Sequence, residues 1–143
     1  MFIDASVIVA ILGREPGYEE LEKRLAVIGE PFFVSPLVIF EASIALARQK
    51  VPLAKTANLK PSPELLRKAR RAVEAFVEDI AAEEMTISPE IGRIALETGA
   101  TYGKVVGHVA DLNFGDCFAY ACAKALHGAL LYKGNDFART DLA

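Results

Sequence analysis

The chain has 143 residues, 16 Lys and Arg against 19 Asp and Glu, and a formal net charge of −3. That length suits a single domain over 1–143 with a real core, and 52% apolar with 24% charged residues excludes a disordered or collagen-like chain. The longest apolar runs, Ala5–Leu12 and Val34–Phe40, fall well short of the ~20 residues that span a bilayer, and the acidic balance at first argues against a nucleic-acid partner.

The chain opens on Met1-Phe-Ile-Asp4, an apolar run ending in a carboxylate. It reads as a buried strand, a sharp turn at Asp4 and a short helix over Ala5–Leu12, stopped by Gly13. Because Asp4 interrupts the start, no signal peptide is read, and a cytoplasmic location is expected. Tyr18, Leu21, Leu25 and Ile28 recur at helical spacing, so Glu15–Ile28 is an amphipathic helix. Pro31–Ser35 is a second buried strand. Three Ser-Pro pairs follow, Ser35-Pro36, Ser62-Pro63 and Ser88-Pro89. Each suits a helix start, with Ser as cap and Pro in the first turn. The spacing predicts helices over Pro36–Lys50, Pro63–Glu84 and Pro89–Gly103, a loop over Val51–Pro61 and a short strand at Met85–Ile87. Asn113-Phe-Gly-Asp116 opens a helix over Asp116–Leu126. Ala129–Tyr132 is a last strand, and Lys133–Ala143 a polar tail. Alternating strands and helices define an α/β fold with a central, mainly parallel sheet flanked by helices.

Cys117 and Cys122 lie half a turn out of phase in that helix, which disfavours a bridge. With His108 and His127 they lack zinc spacing. Buried free thiols in a reducing compartment are the simpler reading.

In an open parallel sheet, ligands bind beyond the carboxyl ends of the strands. Asp4 and Asp136 follow strands, and Asp116 sits at a helix start. Glu41 lies early in a helix that is apolar nearly all round. Carboxylates among apolar residues, with no basic residue close in sequence, repel one another unless they hold a hard cation. Oxygen-only ligation suits Mg²⁺ or Mn²⁺. Simpler readings stand beside this one: Asp116 as an N-cap, Asp4 as a turn residue, Glu41 swung to solvent, Asp136 solvated in its loop. Asp111 and Asp141 read as loop residues, with Asp141 near enough in sequence to be an outer partner.

Four strings carry a resemblance over nearly the whole chain: Phe2–Leu12, Val34–Ala42, Leu112–Leu126, and Leu130–Phe137 with Thr140-Asp141. In that order the chain resembles the PIN-domain family, and within it the VapC-type toxins of bacterial toxin–antitoxin pairs. The resemblance implies a metal-dependent endoribonuclease whose acids hold Mg²⁺ or Mn²⁺. Its first acid falls on Asp4, its second on Glu41, its third on Asp116, and its site hydroxyl on Ser6. Many relatives carry Thr where Ala5 stands. Many also carry an acid where Gly134 stands, so the fourth role passes to Asp136. By the same resemblance Asp4 and Asp116 bind the metal, Glu41 completes the shell or holds a water, and Asp136 positions the attacking water or a second ion. It further implies a homodimer, a cognate antitoxin covering the acidic site, and operator DNA reached only through that antitoxin. One competing reading is a haloacid-dehalogenase-like phosphohydrolase, which wants an acid where Ser6 stands. The other is a non-catalytic PIN-like module acting with its partner on operator DNA, against which the full set of acids speaks.

Arg48–Arg71 holds eight basic residues (Lys55 among them) and one acid, Glu64. In the long helix after Ser62 the arginines come first and Glu78, Asp79, Glu83 and Glu84 last, the reverse of what the helix dipole favours. Arg67, Lys68, Arg70 and Arg71 are therefore read as an RNA-binding surface. The apolar face of that helix, Leu65, Leu66, Ala69, Val73, Phe76, Val77 and Ile80, serves core, dimer or antitoxin. Setting aside Asp4, Glu41, Asp116 and Asp136 leaves 16 basic against 15 acidic residues. The net acidity then no longer argues against RNA.

Overall fold

The computed structural model describes residues 1–29, 31–51 and 60–142. Most of the loop read at Val51–Pro61, with Lys55, lies outside the described residues. Among the described residues, four two-residue strands form one sheet: β1 (Phe2–Ile3), β2 (Phe33–Val34), β3 (Glu83–Glu84) and β4 (Leu130–Leu131). Their order is β3-β2-β1-β4, and all pairings are parallel. The chain steps outward from β1 to β3, then crosses to the other side of β1 for β4. The reversal falls between β1 and β4, where open α/β sheets place their ligands. Phe2, Ile3, Val34 and Leu131 are fully buried, because helices cover both faces of a parallel sheet.

Among the described residues six helices surround it: α1 (Ala5–Gly13), α2 (Tyr18–Val27), α3 (Pro36–Gln49), α4 (Pro63–Asp79), α5 (Pro89–Tyr102) and α6 (Phe114–Ala125). Ser35, Ser62 and Ser88 cap α3, α4 and α5 as expected, each hydroxyl accepting from a backbone N–H in the first turn. Asp4 caps α1. At the other end of α1 the left-handed residue is Arg14, at φ 51°, rather than Gly13. Gly13 serves a different need: a Cβ there would lie 2.2 Å from Gln49 Oε1 of α3.

Helix α2 starts at Tyr18 rather than Glu15, after a left-handed Gly17, and two further elements shift. Helix α4 ends at Asp79, not Glu84, because Ala81 turns left-handed at φ 51° and the N–H groups of Ala81 and Ala82 close onto Glu78 and Val77, a C-terminal cap of the αL kind. The third strand is Glu83–Glu84, not Met85–Ile87. An edge strand needs backbone pairing with β2 on one side only, so two exposed glutamates serve. Met85 and Ile87 instead pack against the core just past the ladder. Cys117 and Cys122 are free and buried. Among the described residues, no helix is long and apolar enough to cross a membrane.

Candidate active site

Asp4 leaves the carboxyl end of β1, the strand at the sheet reversal. Its backbone N–H donates to Leu131 of β4 at 2.9 Å, which ties the two strand ends together. Its side chain is 7% exposed. Oδ2 accepts from the Ser6 N–H at 2.9 Å and from the Ser6 hydroxyl. That hydroxyl in turn accepts from the Lys133 N–H at 3.0 Å. Ser6 therefore joins the start of α1 to the segment leaving β4.

Asp116 is not the cap of α6. Asn113 is, and Asp116 stands three residues later in a capping box. Asn113 Oδ1 accepts from the Asp116 N–H at 3.1 Å, and Asp116 Oδ2 accepts from the Asn113 N–H at 2.8 Å. The cap holds the carboxylate on the first turn of α6. Glu41, on the second turn of α3, lies half-buried, and its carboxylate rests over Gly115 of α6. Asp136 is exposed and opens a short 3-10 helix over Asp136–Arg139, anchored by the buried Phe137.

Asp4, Ser6, Glu41, Asp116 and Asp136 all line one open cleft of about 650 Å³. The fold thus gathers the four acids read from the sequence. Burial pushes the Asp4 carboxyl up from its ordinary value, with the Asp136 charge adding to the rise. Burial, then the charges of Asp4 and Asp116, push Glu41 up to about 7. Burial, with Asp4, Asp136 and Asp111 nearby, pushes Asp116 up to about 6. Among the described residues, none of the four pairs with a basic side chain. The four acids thus stand together without an ion pair, although Arg48 and Lys133 also line the cleft, Lys133 being paired with Glu15.

The donor set fits a hard divalent cation: it is all carboxylate and hydroxyl oxygen, with no thiol or imidazole. Among the described residues, no group of three or more His, Cys, Asp or Glu side chains is placed to hold a metal ion. Mg²⁺ does not require such a group, since it keeps several waters and takes one or two carboxylates.

Glu15, Lys133 and Asn113 also line the cleft and are not among the site residues read from the sequence. Glu15 pairs with Lys133 and accepts from Gln49 Nε2 at 2.5 Å; it stands 118 residues from Lys133, so no local pattern reports the contact. Asn113 was readable, because Asn-x-x-Asp is a capping-box spacing. Asp141 lies elsewhere: it accepts from Tyr120 at 2.5 Å and pairs with Lys124 at 2.6 Å, fastening the tail to α6. On α4, Arg67, Lys68, Arg70 and Arg71 are all exposed. Arg67 and Arg71 lie 3.7 Å from Glu64, and Arg70 pairs with Glu74 at 2.7 Å.

The PIN domain family model matches residues 1–142. A VapC ribonuclease of Rhizobium meliloti is 51% identical over 141 residues, 99% of this chain and 98% of that protein. Ribonuclease VapC28 of Mycobacterium tuberculosis is 34% identical over 140 residues, 98% of this chain and 93% of that protein. Among solved structures, the sarcin-ricin loop cleaving toxin VapC20 of Mycobacterium tuberculosis superposes with a TM-score of 0.73 at 15% identity, covering 99% of this chain and 95% of that one. A toxin–antitoxin complex from Klebsiella pneumoniae gives 0.64 at 14% identity, covering 98% and 92%. These two likenesses are of fold.

A parallel sheet flanked by helices is the fold the sequence resemblance implied. The chain belongs to the PIN-domain family. The relatives just described that it matches along its length are VapC ribonucleases.

Proposed function

We propose that this chain is a divalent-cation-dependent endoribonuclease acting as the toxin of a toxin–antitoxin pair. The observation that carries the reading is the convergence of Asp4, Glu41, Asp116 and Asp136 on one cleft without a basic partner. The 51% identity to a VapC ribonuclease supports the substrate class. Asp4 and Asp116 are the anchored acids, each with Oδ2 committed to hydrogen bonds from the chain. They and Glu41 would hold Mg²⁺ or Mn²⁺, and exposed Asp136 would orient the attacking water at the rim. A cation bound there activates water and offsets the charge on the phosphodiester. RNA would reach the cleft along the basic face of α4.

The antitoxin contact is supported by a groove between α3 and α4 whose apolar wall is Ile39, Phe40, Ile44 and Leu66 and whose rim carries Arg67, Arg70, Glu74 and Glu84. Phe40 and Ile44 also line the acid cleft, so one partner could cover both. Operator DNA would be reached only through that partner. A homodimer is supported by a second apolar groove of about 1010 Å³ between α5 and the start of α6, bordered by Leu96, Val105, Val106 and Phe114. A cytoplasmic location follows from the same reading. The phosphohydrolase alternative lacks its second acid, because Ser6 occupies that place and is spent bridging Asp4 to Lys133.

RNA cleavage by purified wild type, Asp4→Asn and Asp116→Asn, with and without chelator, tests the reading. Wild type should cut, and both variants and the chelated protein should not. Equal rates in all would overturn it. A phosphorylated Asp4 would favour the phosphohydrolase.

A further inference from the structure

Gly115 is the second residue of α6, buried, with no left-handed φ. Conformation therefore does not call for glycine there, and within a helix glycine is less stable than alanine. Space does call for it. A Cβ on Gly115 would lie 2.0 Å from Glu41 Oε1 and 2.5 Å from both Glu41 Cδ and Oε2. No real Cβ sits so close to another atom. The carboxylate of Glu41 thus occupies the place where any other side chain at 115 would begin. By contrast, a Cβ on Gly99 would meet only the Cys117 sulfur at 3.8 Å.

We propose that Gly115 is a positioning residue for the site: its bare Cα seats the Glu41 carboxylate on the first turn of α6, beside Asp116. The inference rests on the reading of Glu41 as a cation ligand, and it deepens that reading. Glu41 reaches this place from α3, across the interface between two helices far apart in sequence. Its side chain ends in free rotors, so it has other positions to adopt. Glycine at 115 leaves this one open, and a methyl group closes it. Because the atom displaced is the far end of a flexible side chain, Gly115→Ala folds. Glu41 swings away from Asp116 and the cleft loses one carboxylate donor that would hold a cation.

The experiment has two arms. In the first, crystal structures of metal-free wild type and Gly115→Ala are compared. The Glu41 carboxylate should leave its place over residue 115; a carboxylate that stays there, with the helix shifting instead, overturns the proposal. In the second, Mn²⁺ affinity is measured by calorimetry for wild type, Gly115→Ala, Glu41→Ala and the double variant. Gly115→Ala should weaken binding about 10–100-fold, the range for groups that orient a ligand, and should add nothing in the Glu41→Ala background. Additive losses overturn the proposal, since Gly115 would then act through something other than Glu41. If wild type takes up no Mn²⁺, the cation reading fails by itself, and the crystal arm still decides the seating of Glu41.

Discussion

Ser6 donates twice to a single oxygen of Asp4, once from its backbone N–H and once from its hydroxyl, at the wall of the acid cleft. The two residues are only two positions apart, yet the bond has long-range reach. The same hydroxyl accepts from Lys133 on the far side of β4.

Ser6→Ala removes both hydroxyl bonds and leaves the Lys133 N–H without its partner. A hydrogen bond to a charged group, with the desolvation of the orphaned donor, is worth about 1–3 kcal/mol. Urea unfolding of Ser6→Ala should show a loss of that size, and Ser6→Thr a smaller one. A loss under about 0.5 kcal/mol, the scatter of ordinary surface changes, would deny the bridge a structural role.

The acid cluster sets a pH dependence. Asp4 is raised, Glu41 lies at about 7 and Asp116 at about 6. A carboxyl whose folded pKa exceeds its unfolded value holds its proton more tightly when folded. Its stabilisation is complete below the unfolded pKa and is lost as pH rises through the folded one. The Tm of the metal-free protein should therefore fall between roughly pH 4.5 and 7.5. Glu15 and Asp141 act oppositely. Lys133 and Lys124 hold them below their ordinary values, so their contribution is lost at lower pH. Added Mn²⁺ at neutral pH should restore Tm by binding only the folded state. A metal-free Tm that climbs steadily to pH 8 would contradict the cluster.

On α4 the four basic side chains differ in what already holds them. Arg67, Arg70 and Arg71 face Glu64 or Glu74, while Lys68 makes no ion pair among the described residues. Changing all four to Gln should lower the salt slope of RNA binding by about 0.7 for each phosphate that is no longer neutralised. Lys68→Gln should give the largest single effect, because no carboxylate competes for it. An unchanged slope would remove α4 from the RNA surface.

Leu96 is 77% and Val105 86% exposed, so neither supports the core of its own chain. Leu96→Glu with Val105→Glu should halve the sedimenting mass at micromolar concentration and leave the far-ultraviolet spectrum unchanged. A wild type that sediments as a monomer would remove the homodimer.

Several local features were legible because they are made within a few residues. The three Ser-Pro caps follow from hydroxyl acceptors and a ring without an N–H. Asp4 was readable as the end of a strand because an apolar run stops there. Where local reading failed, a nearby competing interaction had won. Helix α4 stops five residues early because a left-handed Ala81 closes it. Asp116 yields the cap to Asn113 because the Asn side chain reaches its backbone N–H. Asp141 carries a charge that the sequence could have assigned to the site, and Tyr120 and Lys124 claimed it for the tail.

By itself the sequence determined the alternation of strands and helices and the capped helix starts, since periodicity and capping act over one or two turns; the four acids were named through the family resemblance. Only the tertiary structure decided that these acids share a cleft. Asp4 and Asp136 meet because β1 and β4 are neighbours across the sheet reversal. Glu41 meets Asp116 because α3 carries its carboxylate onto a helix that has no side chain at Gly115. Such contacts depend on which strands pair and how closely two helices approach. Those are properties of the packed chain, and no short stretch of it encodes them.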